Sequence, residues 1–173
     1  MFSFDIKSLF TRVPIQEAPQ VIEERLREDE TLDDRTLKSP STICNLTELC
    51  MRSTYFEFDE RLYEQIEGAP IGSPLSPVLA DLYMESFETA AIESASQPPS
   101  LWLRYVDDTF VIWPHGQHNL DNFLSHLNSR APSIEFTMEV EKDGELPFLD
   151  VLVRRQHNGL ATSVYRKPTH TDR

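Results

Sequence analysis

The sequence predicts an α+β fold, an antiparallel sheet with helices packed on one face, and three observations point there. Apolar residues alternate with period two in Phe2–Ile6 and again through Ile134, Phe136, Met138 and Val140, as half-buried strands require. Asp143-Gly144 and Asn158-Gly159 are tight-turn signals between strand-like runs. Apolar residues at helical spacing separate the strand-like stretches.

Taken in order, Phe2, Phe4 and Ile6 form one face of a first strand and Asp5 points to the other. Pro14 and Pro19 then break the chain before Val21, Ile22 and Leu26, a mostly exposed acidic helix. Glu28 to Ser41 reads as a polar connection. Ser39-Pro40 starts the next helix, with Ile43, Leu46, Leu49 and Cys50 as its apolar stripe. Tyr55–Phe58 and Arg61–Glu64 flank Asp59-Glu60 as a hairpin whose turn lacks the favoured glycine. A glycine- and proline-rich stretch, 68–77, leads into a helix capped by Ser76, opened by Pro77 and buried through Val78, Leu79, Leu82, Tyr83 and Phe87. After Gln97–Ser100 comes a hairpin over 101–113. A helix through Leu120, Phe123, Leu124 and Leu127 follows, ending before Pro132. The strand through Val140, a strand over Phe148–Val153 and another over Leu160–Tyr165 complete the chain.

A length of 173 residues with 39% hydrophobic content suits one globular domain with a sizeable core. No apolar run approaches the length of a membrane span and no signal peptide is recognisable, so the expectation is an intracellular protein without a membrane partner. Cys44 and Cys50 match no zinc or redox spacing and read as buried small hydrophobes. A net charge of −13 is the wrong sign for a broad basic surface that grips nucleic acid. The charge is uneven, however: acids crowd 17–34 and 57–67, whereas Arg154, Arg155, Arg166, Lys167, His170 and Arg173 make the C-terminal end basic.

The most informative segment is Tyr105-Val106-Asp107-Asp108, between two β-prone runs. Asp-Asp alone is common in exposed turns. Here, though, a hairpin tip would present both acids to a common site, which is costly unless a cation neutralises them. Asp5, on the polar side of the first strand, can join Asp107 across a sheet, and hard oxygen ligands from separate strands are how proteins hold Mg²⁺ for phosphoryl chemistry. Gly68 and Gly72 would let a backbone approach a ligand closely, and the helix N-terminus after them favours anions. The stretch is neither a Walker loop nor a dinucleotide fingerprint, and by itself a structural turn explains it.

Together, Phe4-Asp5-Ile6-Lys7-Ser8-Leu9-Phe10, Gly68 to Pro77 and Tyr105 to Asp108 stand in the order of motifs A, B and C of reverse transcriptases, which the chain resembles. Gly72 to Pro77, Leu146-Pro147-Phe148-Leu149-Asp150 and Val164 to Thr171 look most like Penelope-like retroelements. The resemblance implies the palm of an RNA-directed DNA polymerase. Asp5 and Asp107 would hold two Mg²⁺ (or Mn²⁺) ions, with Asp108 contributing less directly. Phe10 would crowd the sugar 2′ position. Gly68, Gly72, Ser73 and Pro74 would help hold nucleotide and template, and Tyr105 would stand beside them. Arg166 and Lys167 suit a phosphate backbone.

The implied partners are an RNA template, a DNA primer, deoxynucleoside triphosphates, and the fingers and thumb of the same polyprotein. Residues 1–173 are thus expected to be a partial domain that does not polymerise alone. A nuclear location is compatible with a retroelement, though no residue fixes it. The chain departs from the family's pattern in carrying Glu67 where many relatives have Gln, with Gln65 two positions earlier. Lys142 is the nearest match to the family's phosphate-side lysine, and the general acid for pyrophosphate stays unassigned. Two other readings are an RNA-dependent RNA polymerase, against which Phe10 and Tyr-Val-Asp-Asp argue, and a non-catalytic palm repurposed as a binding module.

Overall fold

The structure, a computed structural model, is described for residues 1–166. These divide into two compact units: a sheet unit of Met1–Lys7, Ala95–Ala131 and the residues from Glu135 on, and a helical unit of Ser8–Ser94 with Pro132–Ile134. All strand pairs are antiparallel, as expected of the α+β class.

In the sheet unit, β1 (Phe2–Ile6) lies inside a four-stranded sheet. One neighbour is the hairpin β4 (Leu101–Tyr105) and β5 (Asp108–Ile112), and the other is β6 (Phe136–Val140). The strand order is β4-β5-β1-β6. Period two sends Phe2, Phe4 and Ile6 into the core, where each is at most 1% exposed. A helix, Leu120–Arg130, covers this face: its Phe123 packs near Phe4, Trp102 and Trp113, at ring-centroid distances of 6.1, 6.2 and 5.0 Å. Of the stripe expected from spacing, Leu120, Phe123 and Leu127 are buried and Leu124 is half-buried, and the helix stops before Pro132.

The opposite face is partly covered by a second sheet of β7 (Glu145–Phe148), β8 (Val151–Gln156) and β9 (Gly159–Val164). Phe110 of β5 joins Leu146 and Val153 in a separate apolar cluster, with Phe148 against it at 5.6 Å. The expected single strand over Phe148–Val153 is therefore corrected. Phe148 pairs with Val151, so the chain reverses at Leu149-Asp150, with Leu149 at φ 52°. No glycine marks this turn, and apolar Leu149 hid it.

The helical unit contains α1 (Leu9–Arg12), α2 (Ala18–Glu28), α3 (Leu32–Arg35), α4 (Pro40–Arg52) and α5 (Leu75–Glu93), with the hairpin β2 (Tyr55–Phe58) and β3 (Arg61–Glu64). Ser39 caps α4 as expected, accepting from the Thr42 N–H. Its buried face, however, is Cys44, Thr47 and Met51, while Leu46, Leu49 and Cys50 are exposed. The helix is rotated by one residue from the apolar stripe, and the Cys44 thiol donates to the Pro19 carbonyl at 3.0 Å. α3 occupies part of the expected polar connection and buries Leu32. Pro19 sits in the first turn of α2, where it is tolerated, and does not break it.

The β5 residue Thr109 is fully buried, and its hydroxyl has no hydrogen-bond partner among the described residues. A buried unpaired hydroxyl costs about 1–3 kcal/mol. Thr109→Val keeps the shape and the strand preference while removing that cost. The expected outcome is a stabilisation of about 1 kcal/mol in urea unfolding of the 173-residue chain, and a lowered midpoint would contradict it.

Candidate active site

In the sheet unit, Asp5 pairs across the backbone with Asp108 on β5 and with Thr137 on β6. Directly opposed residues share a sheet face, so Asp5, Asp108 and Thr137 stand together on the side away from Phe4. The Thr137 hydroxyl donates to Asp5 Oδ2 at a long 3.5 Å. Asp107 sits one residue outside this row, at the hairpin tip, and its carbonyl accepts the Ile6 N–H at 3.0 Å.

The tip itself is strained. Tyr105 pairs with Asp108, leaving Val106 and Asp107 as a two-residue loop, and Val106 has φ 57° while Asp107 does not share the positive value. That is the type II′ pattern, whose first central position favours glycine; a β-branched residue there costs on the order of 1–3 kcal/mol. Arg104 helps to hold it, donating from Nη1 to the Val106 carbonyl at 3.3 Å. The β4–β5 pairing and the Ile6 bond thus fix the backbone of both aspartates.

A cavity of about 280 Å³ opens on this row, lined by Ser3, Asp5, Asp108, Thr137 and Glu139 on one side and by Pro147, Phe148 and Leu149 of the β7–β8 tip on the other. Sequence reading missed Thr137, Glu139 and Ser3. The signal was present, because alternation in β6 that buries Phe136 turns Thr137 and Glu139 towards Asp5 and Ser3. Among the described residues, no three His, Cys, Asp or Glu side chains are gathered at metal-binding distance. The donor set of Asp5, Asp107 and Asp108 is nevertheless hard oxygen throughout. It fits an ion that takes one or two carboxylates and fills its remaining positions with water and phosphate.

The other expected site residues are distributed as follows. Tyr105 is exposed at the end of β4, opposite Asp108. Lys142 lies beyond Val140, which pairs with Phe2, and so stands at the far end of β6 from the Thr137–Asp5 pair, roughly 16 Å along the strand direction. The structure does not bring it to the carboxylates. Arg166 is exposed after β9, and Lys167 lies outside the described residues. Arg154 and Arg155, part of the basic C-terminal end, are ion-paired with Glu145 at 2.6 Å and Glu141 at 2.8 Å.

Phe10 and the glycine loop belong to the helical unit. Phe10 is half-buried in α1, and its carbonyl accepts the Ala69 N–H at 2.6 Å. Gly68 has φ +74°, and a Cβ there would lie 2.5 Å from the Thr11 Cα. The close backbone approach expected of Gly68 is therefore made to Thr11. Gly72, at φ +94°, faces open space. Ser73 and Pro74 precede α5, which begins at Leu75, earlier than the expected Ser76 cap. The Leu75 N–H donates to Ser73 Oγ at 3.3 Å, while Ser76 is buried and donates its hydroxyl to the Pro70 carbonyl at 2.5 Å. Two residues of the expected buried stripe depart from it: Val78 is exposed and Leu82 half-buried.

The family model for reverse transcriptase (RNA-dependent DNA polymerase) matches residues 1–144, the span that holds Asp5, the glycine loop and the Asp107-Asp108 tip. The chain belongs to the reverse transcriptase family. Among curated proteins, the chain is 33% identical over 92 residues to the telomerase reverse transcriptase of Rattus norvegicus and 27% identical over 92 residues to that of Takifugu rubripes. Each match covers 53% of the chain, and it covers 8% of the length of each of these relatives. Its fold is similar to apo telomerase from Candida tropicalis truncated from the C-terminal domain, with a TM-score of 0.66 at 18% identity over 94% of this chain and 35% of that one. It is also similar to Candida tropicalis telomerase in complex with a TWJ fragment of telomeric RNA, with a TM-score of 0.65 at 18% identity over 99% of this chain and 31% of that one. The fold is thus of the α+β class and similar to that of these telomerase structures. No helix among the described residues is long and apolar enough to cross a membrane.

The two glycines of the loop are expected to differ on substitution. Gly68→Ala drives a methyl into the Thr11 backbone as well as straining φ, whereas Gly72→Ala meets strain alone. Denaturant unfolding should show Gly68→Ala losing more than 3 kcal/mol and Gly72→Ala about 1–2 kcal/mol, and equal losses would contradict the close approach.

Proposed function

We propose that the chain is the palm of a retroelement reverse transcriptase of the Penelope-like kind, extending a DNA primer on an RNA template by two-metal nucleotidyl transfer. The observation that carries this reading is the cross-strand pairing of Asp5 with Asp108, with Asp107 fastened beside them at a strained tip on an open polar face. The hard-oxygen set suits Mg²⁺ or Mn²⁺ held by Asp5, Asp107 and Asp108, and a pair of such ions supplies charge neutralisation at the attacking and leaving oxygens.

The chain's own residues do the rest of what this reading asks. Strand alternation aims Asp5 out of the core, and the Ile6 bond fixes the Asp107 backbone, so the carboxylates are positioned before substrate arrives. Phe10 fills the volume of a ribose 2′-hydroxyl and admits deoxynucleotides. The loop of Gly68, Gly72, Ser73 and Pro74 supports the incoming nucleotide and template, Tyr105 stands beside the reacting end, and Arg166 and Lys167 meet backbone phosphates. Lys142, at the far end of β6 from the carboxylates, is not placed to serve as the phosphate-side lysine. Fingers and thumb segments of the same polyprotein complete the grip on primer and template, and the enzyme works inside the cell.

The test is single-nucleotide addition by the polymerase that carries this chain. Asp5→Asn and Asp107→Asn are each expected to lower addition by at least about 10³-fold with folding intact by circular dichroism. Retained addition in both would overturn the reading. Phe10→Ala is expected to raise ribonucleotide use relative to deoxynucleotide use, measured with paired substrates of the same base. Residues 1–173 supplied alone with template, primer and Mn²⁺ are expected not to extend, because a chain of net charge −13 repels the backbone it must hold.

A further inference from the structure

We infer that Gln65 is a positioning residue for sugar selection, acting through the glycine loop on the backbone of Phe10; the inference rests on the reading of Phe10 as the residue that excludes the 2′-hydroxyl. Gln65 follows β3 directly, and its backbone N–H donates to the Thr54 carbonyl at 2.9 Å, which fixes it at the foot of the β2–β3 hairpin. From there its side chain turns into the loop. Nε2 donates to the carbonyl of Glu67 at 2.9 Å and to that of Gly68 at 3.1 Å. A glutamine amide has two N–H donors, so both are used on successive carbonyls of one turn.

That turn delivers the contacts that hold Phe10. Gly68 lies so close to Thr11 that its missing Cβ would overlap the Thr11 Cα, C and O, at 2.5, 2.6 and 2.6 Å. The next residue, Ala69, is fully buried and donates its N–H to the Phe10 carbonyl at 2.6 Å. The segment being held cannot hold itself. α1 is a single turn of four residues, entered through Ser8 in the left-handed region at φ 54°, and one turn of helix lacks the cooperativity to persist alone. The loop therefore holds the backbone of Phe10, and Gln65 braces the two carbonyls at the start of that loop.

The substitution that separates hydrogen bonding from shape is Gln65→Glu. It is nearly isosteric, but its ionised carboxylate has no donor and faces two carbonyl oxygens. In the polymerase that carries this chain, Gln65→Glu and Gln65→Ala are expected to raise the ratio of ribonucleotide to deoxynucleotide incorporation about five-fold, the scale of one lost hydrogen bond. Phe10→Ala should raise it further. In the Phe10→Ala background, Gln65→Glu should change the ratio no more, since its route to the sugar has been removed. Amide exchange at Ala69 in the same polypeptide should accelerate in both Gln65 variants.

Two results would overturn the inference, and they are distinguishable. If Phe10→Ala shifts the ratio but the Gln65 variants lower both substrates equally, or leave Ala69 exchange unchanged, Gln65 is not a positioning residue and the Phe10 reading stands. If Phe10→Ala leaves the ratio unchanged, the sugar-selection reading itself fails and takes this assignment with it.

Discussion

The sheet unit depends on the alternation of five residues in β1. Phe2, Phe4 and Ile6 anchor the core beneath the sheet, and the same strand pairs on both edges, with β5 and with β6. Because the side-chain period is two, burial of those three residues obliges Ser3 and Asp5 to face the other way. A slip of one residue would bury Asp5 and expose the aromatic row. The apolar core thus specifies the register, and the register places a carboxylate opposite Asp108. Stability and chemistry are here two consequences of a single pleat.

Where side chains alternate or turns carry their usual residues, the fold was legible in the sequence. The strands of Phe2–Ile6 and Phe136–Val140, the Asp-Asp hairpin and the α-helix of Leu120–Arg130 all follow from periodicity. Elements whose decisive contacts lie in distant parts of the chain did not. The face of α4 is chosen by what lies against Cys44, Thr47 and Met51, and a hydroxyl residue in that row disguised it. The reversal at Leu149 was hidden because an apolar residue occupies a left-handed conformation. In the candidate site, the aspartates were readable from their motif positions and strand alternation. The lining residues Thr137 and Glu139 become visible only once β6 is known to lie beside β1. The role of Gln65 is not legible in the sequence, because a side chain bonding to main-chain carbonyls leaves no pattern in composition or spacing.

Electrostatics in the sheet unit is arranged locally. Lys7 pairs with Glu135, Arg154 with Glu145 and Arg155 with Glu141, so two of the cations that make the C-terminal end basic are already engaged. Exposed pairs of this kind contribute little to stability, commonly under about 1 kcal/mol. Their larger effect is to reduce the positive charge that the basic end can offer to a polyanion.

The junction of Gly68 with Thr11 joins main chain to main chain. Such a junction demands nothing of the side chain at 11 and forbids any side chain at 68. Sequence drift at one position therefore cannot be answered by compensating drift at the other, and comparison of many relatives would show no covarying pair where these two segments are most tightly joined.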